Sequence, residues 1–163
     1  MNNVQCRMKL RAENFLRVTR RFGFVPSSLF IVLFTLFIAF SSCQSEEETM
    51  RQKYVTEGIL LYRKNCANCH QADGAGLANL YPPLANSDYL KANKTAVICS
   101  IRYGQKGPIV VNGKVYNRVM PPQLQLSALE VAEITTYIYS QWGDDKHLVR
   151  GKEAEAILKN CVN

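Results

Sequence analysis

This chain of 163 residues is poor in the residues that hold metals by repetition. It has two His and six Cys, and only one pair of Cys, Cys66 and Cys69, is separated by two residues. The absence of a second C-x-x-C or a paired His excludes the usual structural zinc sites. No strand–helix–strand pattern surrounds the pair, so a thioredoxin-like dithiol lacks its context. There is no internal repeat. Beyond residue 43 there is also little surplus charge: residues 44–163 carry 14 basic and 12 acidic residues. The net charge of +7 belongs mostly to residues 1–43, where six basic residues face Glu13 alone. A basic tail of that kind is a signal n-region and gives no case for nucleic acid as a partner.

Set against this scarcity, Cys66-Ala67-Asn68-Cys69-His70 concentrates three of the eight Cys and His residues in five positions. C-x-x-C-H is the attachment sequence of a c-type haem. Two thiols at this spacing can each add to one vinyl group of the same porphyrin. The adjacent imidazole then lies beneath the iron as its proximal ligand. Cys66 and Cys69 are therefore expected to bind one haem c covalently, with His70 on the metal.

The longest apolar run, Leu29 to Phe40, has twelve residues, of which only Thr35 is polar. A membrane span needs about 20 and a signal h-region about 7–15. Ser41-Ser42-Cys43 follows, resembling a lipoprotein cleavage site with Cys43 lipidated. Phe40 departs from the usual aliphatic residue, and an uncleaved, tilted span is the rival reading. Both readings export the remainder and tether it to a membrane. The expected organisation is a lipoprotein-type signal over 1–42, a lipid-anchored linker over 43–52, and one domain over 53–163 on the periplasmic side of a bacterial membrane.

Within that domain, Val55, Ile59, Tyr62 and Cys66 share one face of a helix expected over 53–66. Gly58 interrupts it and points to close approach by another element. Residues 71–86 read as loop. A short helix follows the N-cap Ser87, and another covers 94–103. Asn112-Gly113 predicts a β-hairpin over 109–119. Ser127 and Glu130 form a capping box for a helix to Trp142, with apolar surface from Leu129, Ala132, Ile134, Ile138 and Trp142, and Gly143 ends it. A last helix is expected over 147–160.

The domain after the linker holds one Met, Met120, fifty residues beyond His70 in a Pro-bounded loop. Such a loop can present a thioether to the open face of a haem. His147 is the alternative ligand, but in a polar stretch it reads better as a surface residue. Arg102, Tyr116 and Trp142 are candidates to reach the haem propionates, against a plainer reading as packing or surface. Cys99 and Cys161 are either a disulfide between the 94–103 helix and the C-terminus or two small buried groups.

The segments GILLYRKNCANCHQADGAG, YPPLANS, GPIVVNGKVYNRVMPP and LSALEVAEITTYIYSQWG, in that order, resemble a class I c-type cytochrome of the small bacterial monohaem kind. The likeness covers about 54–143. It implies an all-α cytochrome c fold, four to five helices around one covalent haem, with the small hairpin preceding the distal Met loop. It implies that Gly58 and Tyr62 pack against the later helix, with Tyr137 as aromatic partner. It further implies that a carbonyl of Pro82 or Pro83 holds the proximal imidazole N–H, and that Met120 is the distal ligand. Gln71 stands where the family usually has Gly, a change expected to be harmless.

The function expected is electron transfer, not enzymatic turnover. The iron would cycle between Fe(III) and Fe(II) and pass electrons between redox partner proteins in a respiratory or dehydrogenase chain. The rival readings are a haem-binding subunit of a larger oxidase or dehydrogenase complex, and a haem enzyme with an open distal site.

Overall fold

The computed structural model describes residues 46–144 and 147–161. The expected signal over 1–42 and the expected lipidation site Cys43 lie outside the described residues. Among the described residues, no helix is long and apolar enough to cross a membrane. The elements run α1 Glu46–Asn65, α2 Ala67–His70, α3 Asp88–Ala92, α4 Lys94–Tyr103, β1 Ile109–Val111, β2 Lys114–Tyr116, α5 Ala128–Trp142 and α6 Gly151–Leu158. The fold is helical with one small antiparallel ribbon, as expected.

Helix α1 starts at Glu46, inside the stretch read as linker. Glu46, Glu47 and Glu48 fill its first turn, where carboxylates complement the helix dipole. Arg51 reaches back to Glu48 with two bonds of 2.7 and 2.8 Å. These turns are solvated good helix formers without an apolar face, so periodicity does not reveal them.

Helix α5 is the central element. Its residues Val131 to Tyr139 are all buried, the mark of a helix packed on every side. Its start carries the expected capping box: the Glu130 N–H donates to Ser127 Oγ at 3.2 Å, and the Ser127 N–H donates to Glu130 Oε2 at 2.7 Å. Leu129, expected to be apolar packing surface, is instead exposed, because it precedes the buried run.

Helices α1 and α5 cross at Gly58. A Cβ there would lie 2.7 Å from Tyr137 Cβ and still closer to the Glu133 carbonyl oxygen. Only a hydrogen fits in that gap. One turn later Tyr62 packs against Tyr137 and Trp142, with ring centroids 5.3 and 5.4 Å away.

The hairpin pairs Ile109 with Tyr116 and Val111 with Lys114 around Asn112-Gly113. Both turn residues have positive φ, 51° and 74°, as a tight two-residue turn requires. The turn docks on α3. The Asp88 N–H donates to Asn112 Oδ1 at 3.0 Å, and the Asn112 N–H donates to Asp88 Oδ1 at 2.7 Å.

Helix α6 is shorter than the expected 147–160. Residues 147–150 are not helical, because the Val149 backbone bonds to Thr136 of α5. Its N–H donates to Thr136 Oγ1 at 3.2 Å, and its carbonyl accepts from the same hydroxyl at 3.4 Å. That bond pair holds Leu148 and Val149 in the core. Of the two readings of Cys99 and Cys161, the structure has the disulfide, with Cα atoms 5.7 Å apart.

Gly58→Ala is expected to force α1 off α5 and to destabilise the domain by about 1–3 kcal/mol, the usual cost of overpacking. Urea unfolding checks this; an unchanged midpoint would mean the crossing has slack.

Candidate functional site

Helix α1 hands the chain directly to α2, with the Cys66 N–H donating to the Tyr62 carbonyl at 2.8 Å. α2 is a single turn. Residues three and four apart share one side of a turn, so Cys66, Cys69 and His70 all line the same cleft. The cleft encloses about 980 Å³ with its open mouth included. Its walls are largely apolar. Leu90, Val97 and Ile101 come from α3 and α4, and Ile109, Val111 and Tyr116 come from the inner side of the hairpin.

The imidazole of His70 is fixed from behind. Its Nδ1 lies 3.0 Å from the Pro82 carbonyl oxygen. A carbonyl only accepts, so Nδ1 carries the hydrogen and Nε2 keeps its lone pair. Burial pulls the His70 pKa below its ordinary value, and the Pro82 bond offsets this in part. The ring is therefore neutral and able to bind a metal near pH 7. Of the two prolines expected to supply a carbonyl, Pro82 makes the contact, while Pro83 contributes to the cleft wall.

Gly76 makes room for this arrangement. Its φ is +70°, its N–H donates to the His70 carbonyl at 3.0 Å, and a Cβ would fall 2.8 Å from the Pro82 oxygen. A side chain here would push away the carbonyl that orients the imidazole.

Cys66 and Cys69 are both free thiols. Burial first, and the nearness of Cys69 second, push the Cys66 thiol up to about 12. Redox-active dithiols show the reverse, a lowered pKa that supplies thiolate. Cys66 is therefore held as the thiol. Among the described residues, no group of three or more His, Cys, Asp and Glu could hold a metal ion.

Met120 lines the cleft too. Its backbone is pinned to Gln105 by two bonds: the Gln105 N–H donates to the Met120 carbonyl at 3.1 Å, and the Met120 N–H donates to the Gln105 carbonyl at 3.0 Å.

The three candidates for the propionates separate. Tyr116 is buried in the cleft wall. Trp142 is not among the lining residues; it packs on Tyr62, on Tyr137 and over Gly74. Arg102 is not brought to the cleft either. It follows Ile101, which faces inward, so the helical step turns it aside, and its charge acts on Glu130. Arg118 lines the cleft instead. Val119 and Met120 follow it in the cleft wall, so this run meets the cleft as a continuous stretch and leaves no alternating signal in the sequence. His147 lies exposed, 3.4 Å from Glu153, and does not enter the cleft.

The family model for cytochrome c matches residues 55–142. Cytochrome c-552 of Thermus thermophilus is 36% identical over 94 residues, covering 55% of this chain and 71% of the relative. The cytochrome c subunit of alcohol dehydrogenase (quinone) from Gluconacetobacter polyoxogenes is 34% identical over 90 residues, covering 53% of this chain but 19% of the relative. The fructose dehydrogenase cytochrome subunit of Gluconobacter japonicus is 31% identical over 107 residues, covering 63% and 22%. The chain thus spans about a fifth of the dehydrogenase subunits it matches.

Gln71, expected to be a harmless departure, is strained. Its φ of 63° and ψ of 162° lie in a region almost confined to glycine. The conformation is held from several sides: the Tyr62 hydroxyl donates to the Gln71 carbonyl at 2.7 Å, and the Gln71 N–H donates to the Ala67 carbonyl at 2.9 Å. Such strain costs about 1–3 kcal/mol, against roughly 0.5–1 kcal/mol of added unfolded-state entropy for glycine. Gln71→Gly is expected to stabilise the domain by about 1 kcal/mol, raising Tm by about 4–8 °C. A lowered Tm in calorimetry would contradict this.

Proposed function

The chain belongs to the cytochrome c family, and we propose that it is a His/Met-ligated electron carrier, moving one electron at a time between redox partner proteins of a bacterial respiratory or dehydrogenase chain. The family's cofactor is one covalently held haem c. When bound, it supplies an iron that alternates between Fe(III) and Fe(II). The observation that carries the reading is that two thiols, a neutral imidazole and a thioether open onto one apolar cleft.

In this reading Cys66 and Cys69 would hold the haem through two thioethers, and His70 Nε2 and Met120 Sδ would ligate its iron. The Pro82 carbonyl holds the imidazole by its N–H, fixing its orientation and raising its basicity. The thioether favours Fe(II) relative to a second imidazole, which raises the potential. With His70 and Met120 both on the iron, no place would be left for oxygen or peroxide to react, which supports a carrier over an enzyme. Tyr116 and Arg118 are the donors suited to the propionates. Residues 1–42 act as an export signal and Cys43 as the lipid-bearing residue, a part of the proposal that rests on sequence alone. The domain then works on the periplasmic side of a membrane.

A second reading is a subunit bound within a larger dehydrogenase. The likeness to dehydrogenase cytochrome subunits favours it. Gentle detergent extraction followed by size measurement separates the two: a lone carrier runs at the mass of this chain with its lipid and haem.

The optical spectrum of the ferric protein tests the ligand set. The wild type is expected to be low-spin with a sulfur-to-iron charge-transfer band. Met120→Ala is expected to lose the band and to lower the reduction potential. A band that survives Met120→Ala would remove Met120 from the site, and a high-spin wild type would favour a haem enzyme.

A further inference from the structure

We infer that the C-terminal segment 147–161, stapled through Cys99–Cys161, is a positioning clamp for Met120. The inference rests on the reading of Met120 as the distal ligand. The segment lies beyond the residues 55–142 that the family model covers.

The distal loop is fastened to the end of α4. Besides the two Gln105–Met120 bonds, the Gln123 N–H donates to the Arg102 carbonyl at 3.0 Å. Gly104, with φ of +77°, lets the Met120 carbonyl come so close that a Cβ would collide with it. Met120 can therefore be no better placed than the C-terminal end of α4.

That end of α4 has two working faces. Val97 and Ile101, four residues apart, line the cleft. Cys99 and Tyr103, also four apart, are offset from the first pair by two residues, about 200° around a helix. They face away from the cleft, and both are tied to the extension. Cys99 is bonded to Cys161, and the Tyr103 hydroxyl donates to the Leu158 carbonyl at 3.3 Å. The extension in turn is bonded to α5 through Thr136 and Val149. Ile98 seats the middle of α4 in the core, while the outward stripe is held by the extension through Cys99 and Tyr103. The clamp thus backs the helix whose end carries Met120, and its loss lets that end and its loop drift from the iron together.

Competition by imidazole at the ferric iron measures how firmly Met120 is held. Apparent affinity scales with the fraction of molecules whose distal position is open. In the full-length holoprotein, the double variant Cys99→Ala/Cys161→Ala is expected to bind imidazole about tenfold more tightly than wild type, the open fraction having risen about tenfold. Its sulfur-to-iron band should weaken. Tyr103→Phe, which keeps the disulfide, is expected to shift the affinity in the same direction by a smaller factor, and it carries the test if the double variant fails to fold. Thermal unfolding is followed beside it. A variant that loses Tm but binds imidazole as wild type does would make the extension a stabiliser only and overturn the clamp. A wild type with no sulfur-to-iron band would defeat the ligand reading itself, a result distinguishable from either.

Discussion

The hydrogen bond from His70 Nδ1 to the Pro82 carbonyl is the contact on which the site depends. It selects the tautomer, aims the remaining lone pair, and does so from a loop twelve residues away in sequence. That loop reaches the imidazole only because Gly76 leaves space beneath Pro82. Burial keeps the ring neutral, and the carbonyl keeps it basic. Without this partner the half-buried imidazole would be free to rotate and its N–H would lose its bond.

Behind this bond stands the α1–α5 crossing. Gly58 brings the two backbones together, and Tyr62, Tyr137 and Trp142 fill the angle one turn on. Tyr62 also bonds the strained Gln71 carbonyl immediately after His70. The core and the site are therefore linked through one residue. The strain at Gln71 is tolerated because Tyr62, Ala67 and Gly74 hold its backbone, not because the conformation suits glutamine. The front of the cleft depends on a different set of contacts, the Asp88–Asn112 pair under the hairpin and the Gln105–Met120 pair at the distal loop.

Features written in local chemistry were legible in the sequence. The C-x-x-C-H turn, the Ser127–Glu130 capping box, the Asn112-Gly113 hairpin and the 94–103 helix each depend on residues a few positions apart. What escaped depends on distant partners or on solvated helix. The first turns of α1 have no apolar face to reveal them. Residues 147–150 would continue a helix by their own preference, but Thr136 draws Val149 off the helical path. That Arg102 misses the cleft turns on the rotation of α4 about its axis, which is set by the core, while Arg118 meets it because the run after the hairpin folds back to pair Met120 with Gln105. The pairing of Cys99 with Cys161 is open from spacing alone, since it requires the extension to fold back on α4. The strain at Gln71 is invisible until its φ is known, because a departure from glycine matters only where the backbone demands glycine.

In the proposed carrier, the iron sits between a nitrogen and a sulfur in an apolar cleft, with no coordination position left for reaction. X-ray absorption at the iron edge of the full-length holoprotein tests that most directly. The account predicts a sulfur in the iron's first shell beside nitrogens, in both the ferric and the ferrous forms. A first shell of nitrogen and oxygen alone would contradict it.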